Sequence, residues 1–451
     1  MCRTVTVIGG GLAGSECALS LANRGIGVRL FEQRPGGIAP AHHTSGLAEL
    51  VCSNSLKSTK EDSAAGLLKA ELDLMGSNLL RMARECAVPA GGALAVDRLV
   101  FSQKVTEAVT SNPLIELVRE EATTIPQGPV VIAAGPLCSP GLSDALSKLV
   151  GGERLAFFDA AAPVVSTESI NHDVAFSQSR YEGQGRGDYL NCPLTKEQYE
   201  AFWNELVAAQ RVVAKEFEER DLFNACQPVE EVARKGINTL RFGALKPVGL
   251  VDPVSGHRPW AVVQLRAENA SCTAYNLVGF QTNLTWGEQK RVFRMIPGLE
   301  DAEFVRYGVM HRNTFVDAPR ALDKTFAIPG TSVRLAGQIT GTEGYVEAIA
   351  SGVLAAANVA ADLRGYAPVE LPNTGALGSL VAYATNPETY PYQPMHVNFG
   401  IVPPLEGKRL PKGARYKAYV ARAKDDLVAY LSARPELFAD DCGNPLGSRD
   451  E

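Results

Sequence analysis

The sequence predicts an α/β protein: a Rossmann-like dinucleotide-binding domain split in two by an inserted α+β domain. Three observations carry this. A strand, glycine turn, helix and second strand open the chain. An apolar strand ending in small residues and glycine, GPVVIAAGP, lies at 128–136. A strand, a glycine-punctuated loop and a small-residue helix then return at 333–365. Between them, from about 151 to 319, the character changes to aromatics, Pro/Gly turns and short strand-like runs such as AVVQLRAE and AYNLVGF. The expected division is therefore 1–150 and 320–451 for the cofactor domain, with 151–319 as an inserted substrate-facing domain.

Composition bounds the function. The chain has 451 residues, 45% hydrophobic and 21% charged, which suits a soluble globular protein with a substantial core. Its net charge of −6 means that any RNA or anion site is a local patch working against the global charge. Nine cysteines form no C-x-x-C pair and six histidines show no ligand spacing. That pattern argues against a metal site and against a secreted disulfide framework, and places the chain in a reducing cytoplasm. Gly9, Gly10, Gly11 and Gly14 interrupt the apolar opening too early for a signal peptide, and no membrane span is expected.

Each element follows in order. Val5, Val7 and Ile8 suit a buried strand, and Gly9-x-Gly11-x-x-Gly14 follows directly. A helix then runs to about Asn23, and a strand from Val28 to Phe31 ends on Glu32. The glycines permit a tight turn and close approach of a pyrophosphate to the positive helix N-terminus, and Glu32 stands where a carboxylate binds ribose hydroxyls. Two distant segments favour FAD over NAD. One is the 128–136 strand with Gly135; the other is AGQITGTEGY, which brings Gly337, Gln338, Gly344 and Tyr345 before a helix. A helix start near Gly344 suits the electron-rich end of a reduced flavin. Leu68, Leu72, Met75, Leu79 and Met82 in 63–87 repeat at helical spacing and mark a core-facing helix. The segment 88–150 reads as short strands and turns.

Two cysteines stand out chemically. Cys52 lies in AELVCSNSLKS, a polar stretch close behind the dinucleotide motif, although a free cysteine is most often a small buried apolar residue. Cys226 precedes Gln227-Pro228 before a short helix, with Arg234, Lys235 and Lys246 near in sequence, an environment that favours thiolate.

The set VIGGGLAGSECA, ELVCSNSLKS, NACQPVE with LRFGALKPVGL, YGVMHRNTF, AGQITGTEGYVEA and NFGIVPP closely resembles the folate- and FAD-dependent tRNA uracil-5 methyltransferases, a bacterial family. The resemblance runs from the N-terminus to about residue 405, in order. A shorter resemblance to the tRNA wobble-uridine modifying flavoproteins covers mainly the cofactor domain. The first resemblance implies methylation of C5 of the T-loop uridine of tRNA, giving 5-methyluridine. It implies 5,10-methylenetetrahydrofolate as carbon donor, reduced FAD as carrier through its N5 and as reductant, and NAD(P)H as source of electrons. It implies Cys226 as the nucleophile on uracil C6 and Cys52 as the flavin-side thiol; sequence leaves the reverse assignment open. Arg291, Arg294 and His311 are candidate folate contacts, His311 being equally a core histidine. Lys57 reads either as a phosphate contact or as a solvated loop charge.

The stretch 407–424 carries seven Lys/Arg and no acid, with Tyr416 and Tyr419 interleaved. Lys408, Arg409, Lys412, Arg415 and Lys417 are its candidate RNA contacts, against the alternative of a solvated helix face. The sequence departs from the family at Gln33, Ala225 and Gln227. These changes keep a ribosomal RNA uridine open as the target, beside an NAD(P)H-dependent flavin oxidoreductase acting on a small substrate.

Overall fold

A computed structural model describes residues 4–36, 42–151, 155–160, 162–181, 187–212, 227–390, 392–407 and 410–438. Five strands form a parallel sheet in the spatial order Val333–Leu335, Val130–Ile132, Val5–Ile8, Val28–Phe31, Ile115–Val118. All four pairings are parallel, with Val5 opposite Val28 and Ile8 opposite Phe31. A parallel sheet is covered on both faces, which is why Val130, Val131 and Ile132 are a continuous and fully buried apolar run. The first strand in sequence is central, and its neighbours leave in opposite directions. This strand-order reversal puts the glycine turn at the switch point where such sheets bind ligands.

The helix Leu12–Ala22 is buried along its whole length under the helix Tyr345–Arg364. Small residues allow that approach: a Cβ on Gly352 would lie 2.4 Å from the Ala13 carbonyl oxygen. The helix Tyr345–Arg364 is 20 residues long and apolar enough to cross a membrane, yet 89% of its most apolar window is buried inside the protein. It is a core helix.

Two sequence expectations change. The 63–87 repeat is two helices, Ala64–Leu74 and Asn78–Glu85, because Gly76 takes φ +73° and the Ser77 hydroxyl accepts from Leu80 N–H to start a new helix. Its five marked residues are nonetheless all buried. The 88–150 segment contains two helices that the pattern hid, Arg98–Thr110 and Pro140–Val150, N-capped by Asp97 and Ser139.

A second sheet is antiparallel throughout, in the order Phe176–Ser177, Tyr189–Leu194, Ala261–Ala267, Ala274–Leu277, Val164–Ser166, Phe304–Arg306. It closes over its own apolar cluster, in which Phe280 meets Phe293 edge-on with ring centroids 5.3 Å apart. Asn54, two residues beyond Cys52, donates from Nδ2 to the carbonyls of Val96 and Ala267. One buried amide thus joins the Cys52 loop to the central strand of the antiparallel sheet.

Candidate active site: the dinucleotide cleft and the Cys52 loop

A cleft of about 1040 Å³, counting its open mouth, runs across the C-terminal edge of the parallel sheet. Gly9, Gly10, Gly11, Glu32, Gly135, Gly337, Gln338 and Tyr345 line it. Eight of the ten residues expected at a cofactor therefore converge, from four separated segments. Gly14 lies beneath: its Cβ would stand 1.8 Å from the Gly9 carbonyl oxygen, so it serves the tight helix–turn packing. Gly344 packs at the other side of the Tyr345–Arg364 helix start, where a Cβ would strike the Glu347 carboxylate.

The cleft fits a dinucleotide. Gly9 holds φ +107°, and a side chain there would meet the Ala133 backbone at 2.5 Å. A Cβ on Gly11 or Gly135 would meet nothing within 4 Å, so both glycines keep the cleft floor open for close approach of a ligand. No side chain caps the N-terminus of the helix Leu12–Ala22, which leaves its first N–H groups directed toward an anion.

Glu32 follows the strand Val28–Phe31 and lines the cleft, with a partner that sequence reading missed. Its Oε2 accepts from Gly10 N–H at 2.9 Å and from Arg34 Nη2 at 3.0 Å; its Oε1 accepts from Arg34 Nε at 2.8 Å and Arg34 N–H at 3.0 Å. Burial pushes the Glu32 carboxyl up, but the Arg34 bonds and charge outweigh it and hold the group below the ordinary carboxylate range. Arg34 also donates to Glu49, so a buried guanidinium is shared by two carboxylates at this end of the cleft. The only sequence signal was an arginine two positions after the terminal acid.

At the other end stands the Cys52 loop. Val51 lines the cleft and Cys52 is half-buried beside it. The Tyr345 hydroxyl oxygen accepts from Cys52 N–H at 2.7 Å and from Ser53 N–H at 3.2 Å, pinning the thiol-bearing loop to the start of the Tyr345–Arg364 helix. Burial pushes the Tyr345 phenol up, and the neighbouring Cys52 thiol adds to this, so the hydroxyl keeps its proton. Cys17 and Cys192 are fully buried and their thiols are pushed up by burial, Cys17 to about 12, which makes them packing residues. Cys138 also lies on the cleft wall, beside Ser139. Cys226, Lys408 and Arg409 lie outside the described residues.

The remaining expected contacts sit elsewhere. Lys57, with φ +64°, pairs through Nζ with Oε1 of the buried Glu347 at 2.6 Å. Arg291 pairs with Glu288 and Glu205 on an exposed helix face, and Arg294 donates to the Ala302 carbonyl. His311 stands opposite Asp159 in the two-stranded pairing of Met310–Phe315 with Leu155–Ala160. The basic stretch forms the helix Lys412–Ser432, with Lys412 and Lys417 exposed. Its tyrosines pack inward, Tyr419 stacking on Phe399 with centroids 5.4 Å apart.

A parallel sheet with this switch point and cleft defines a Rossmann-type flavoprotein fold. Its comparisons agree. A solved structure of Aquifex aeolicus GidA superposes with a TM-score of 0.68 at 16% identity, covering 96% of this chain and 76% of that one. The family model described as "Glucose inhibited division protein A" matches residues 4–367. The relative named methylenetetrahydrofolate--tRNA-(uracil-5-)-methyltransferase TrmFO in Moorella thermoacetica is 53% identical over 94% of this chain and 97% of its own. The relative of the same name in Geobacter sulfurreducens is 56% identical over 92% and 96%. The chain belongs to the glucose inhibited division protein A family, and within it to the TrmFO group.

Proposed function

We propose that this chain builds the 5-methyl group of a T-loop uridine in tRNA, taking carbon from 5,10-methylenetetrahydrofolate and electrons from NAD(P)H by way of bound FAD. The observation that carries the reading is the Cys52 loop, fixed by Tyr345 against the inner end of a dinucleotide cleft. A thiol held there serves carbon chemistry on a pyrimidine; a glycine-turn protein that only stores a nucleotide has no use for it. The names of the relatives support the same reaction.

Each chain group has a task. Gly9 to Gly11 and the N-terminus of the helix Leu12–Ala22 would hold the pyrophosphate of FAD, Glu32 with Arg34 the adenosine ribose, and Gly337, Gln338 and Tyr345 the inner end. FAD, when bound, supplies carriage of the one-carbon unit and the hydride that completes the methyl group. Uracil C5 is a poor nucleophile, so Cys226 adds as thiolate to C6 and places the electron pair on C5 and O4. Once C5 has formed its new carbon bond, Cys52 takes the C5 proton as the Cys226 thiolate leaves. The uridine must leave its stack to offer C5 and C6 to groups on opposite faces. Residues 151–319 form the unit that faces the substrates, with His311 as its folate candidate; Arg291 and Arg294, engaged on their own surface, are not carried into this reading. The exposed Lys412 and Lys417, with Arg415, supply phosphate contacts.

The test uses full-length protein, unmodified tRNA transcript, NADPH and methylenetetrahydrofolate carrying carbon-13 on the methylene. Labelled 5-methyluridine should appear in the digested RNA, and should be absent from a transcript lacking the T-loop uridine. Flavin reduction without any label in tRNA would overturn the reading.

A further inference from the structure

Three arginines from distant segments converge on the Cys52 loop. Arg98, opening the helix Arg98–Thr110, donates from Nη1 to the Leu50 carbonyl at 2.8 Å and pairs with Glu268 through Nη2 at 3.0 Å. Arg266, on the central antiparallel strand, donates from Nε to Asn54 Oδ1 at 2.8 Å. Leu50 and Asn54 flank Cys52 at two residues on either side. Arg306 ends the edge strand Phe304–Arg306 and lies within electrostatic reach of Arg98, Glu268, Tyr345 and Cys52.

Arg306 is the unusual member. Its Nε and Nη2 are buried, and neither has a hydrogen-bond partner among the described residues. Among the described residues, Glu268 is the carboxylate that faces these three guanidiniums, and it is already engaged with Arg98. The other titratable groups around them are Tyr189, Tyr345 and Cys52. An arginine does not escape burial by losing its proton, so an unmatched guanidinium here is costly to the chain unless something else pairs with it. Nε and Nη2 form the edge of a guanidinium that carries two parallel N–H groups, the edge that takes two oxygens at once.

We propose that Arg306, backed by Arg98 and Arg266, forms an anion site beside Cys52, between the two sheets, for a paired-oxygen group: a carboxylate or a phosphate. The function proposed above supplies two sources, the glutamyl carboxylate of the folate and a phosphate of the RNA. Naming these sources rests on that reading; the anion site itself rests on the arginines.

The first arm of the test needs no turnover. Inorganic phosphate, exchanged for chloride at constant ionic strength, should raise the thermal midpoint of the full-length protein, and Arg306→Gln should abolish that rise. The second arm distinguishes the sources by binding of tetrahydrofolate, of tetrahydropteroate (which lacks the glutamate) and of tRNA transcript. A loss of about ten- to a hundredfold for tetrahydrofolate alone assigns the carboxylate. An equivalent loss for tRNA, with a shallower salt dependence, assigns the phosphate. Arg306→Lys keeps the charge but loses the two-pronged edge, and should retain less than half of the phosphate protection. It also covers a Gln variant that does not fold. Unchanged phosphate protection, together with unchanged folate and tRNA binding, would overturn the proposal. A chain that shows phosphate protection but makes no 5-methyluridine would keep the anion site and sink the functional reading.

Discussion

Glu32 holds four protein donors at once, and this decides what its loss does. Glu32→Ala removes a carboxylate from the cleft and leaves Arg34, a guanidinium only 2% exposed, with Glu49 as its remaining carboxylate partner. Breaking a buried pair from one side costs about 3–5 kcal/mol. The variant should therefore purify with little FAD and melt well below the wild type, measured by flavin absorbance and thermal denaturation. Tyr345 acts on the chemistry through its neighbours. Tyr345→Phe takes the acceptor from Cys52 N–H and Ser53 N–H, each worth about 1–3 kcal/mol when left unsatisfied in the interior. It should lower kcat while FAD content and the KM for tRNA hold. A purely packing tyrosine would leave kcat unchanged on the same conservative substitution. Cys52→Ala should lower methyl formation by about 10²–10⁴-fold, the range for loss of a positioned proton acceptor, again with FAD retained.

At the scale of elements, buried carboxylates set the helix starts. The two Glu71 oxygens accept from Ala376 N–H and Leu377 N–H at 2.6 and 2.9 Å, capping the helix Ala376–Ala384, whose own first residues offer no side-chain cap. Burial raises the Glu71 carboxyl from the ordinary 4.5 to about 7, against those two N–H bonds. The folded chain thus keeps a proton that the unfolded chain releases. The stability gained from this proton is complete below about pH 4.5 and is lost as pH rises through about 7. Glu230, which accepts from Thr282 and Asn283, behaves in the same direction. Glu71→Gln should flatten part of the decline in thermal midpoint between pH 5 and 8, leaving the Glu230 share. An identical pH slope in the two proteins would count against a proton on Glu71.

Across the whole molecule, what the sequence made legible was local and what it hid was long-range. The glycine turn, Glu32 and the 333–365 return could be read because strand, turn and helix signals lie next to one another in the chain. The helix Arg98–Thr110 escaped because Leu99 and Val100 are exposed, 69% and 50%, which blurs the apolar period that marks a helix. The 63–87 pattern kept its helical phase across the Gly76 break, so two helices read as one. Arg34 could not be assigned because its meaning depends on a side chain folding back onto Glu32. Arg98, Arg266 and Arg306 meet only after the two sheets come together. Arg291 and Arg294 drew notice as a basic pair, whereas in the fold each is spent on a neighbour on its own surface.

The role proposed for Cys52, pinned by Tyr345 at the inner end of the cleft, is to remove the C5 proton of the target uridine. Its most direct test is tritium release from tRNA carrying [5-³H]uridine, measured with methylenetetrahydrofolate and NADPH for the wild type and Cys52→Ala. Release should keep step with methyl formation for the wild type and drop by about 10²-fold or more for Cys52→Ala with normal FAD content. Undiminished release from Cys52→Ala would contradict that role.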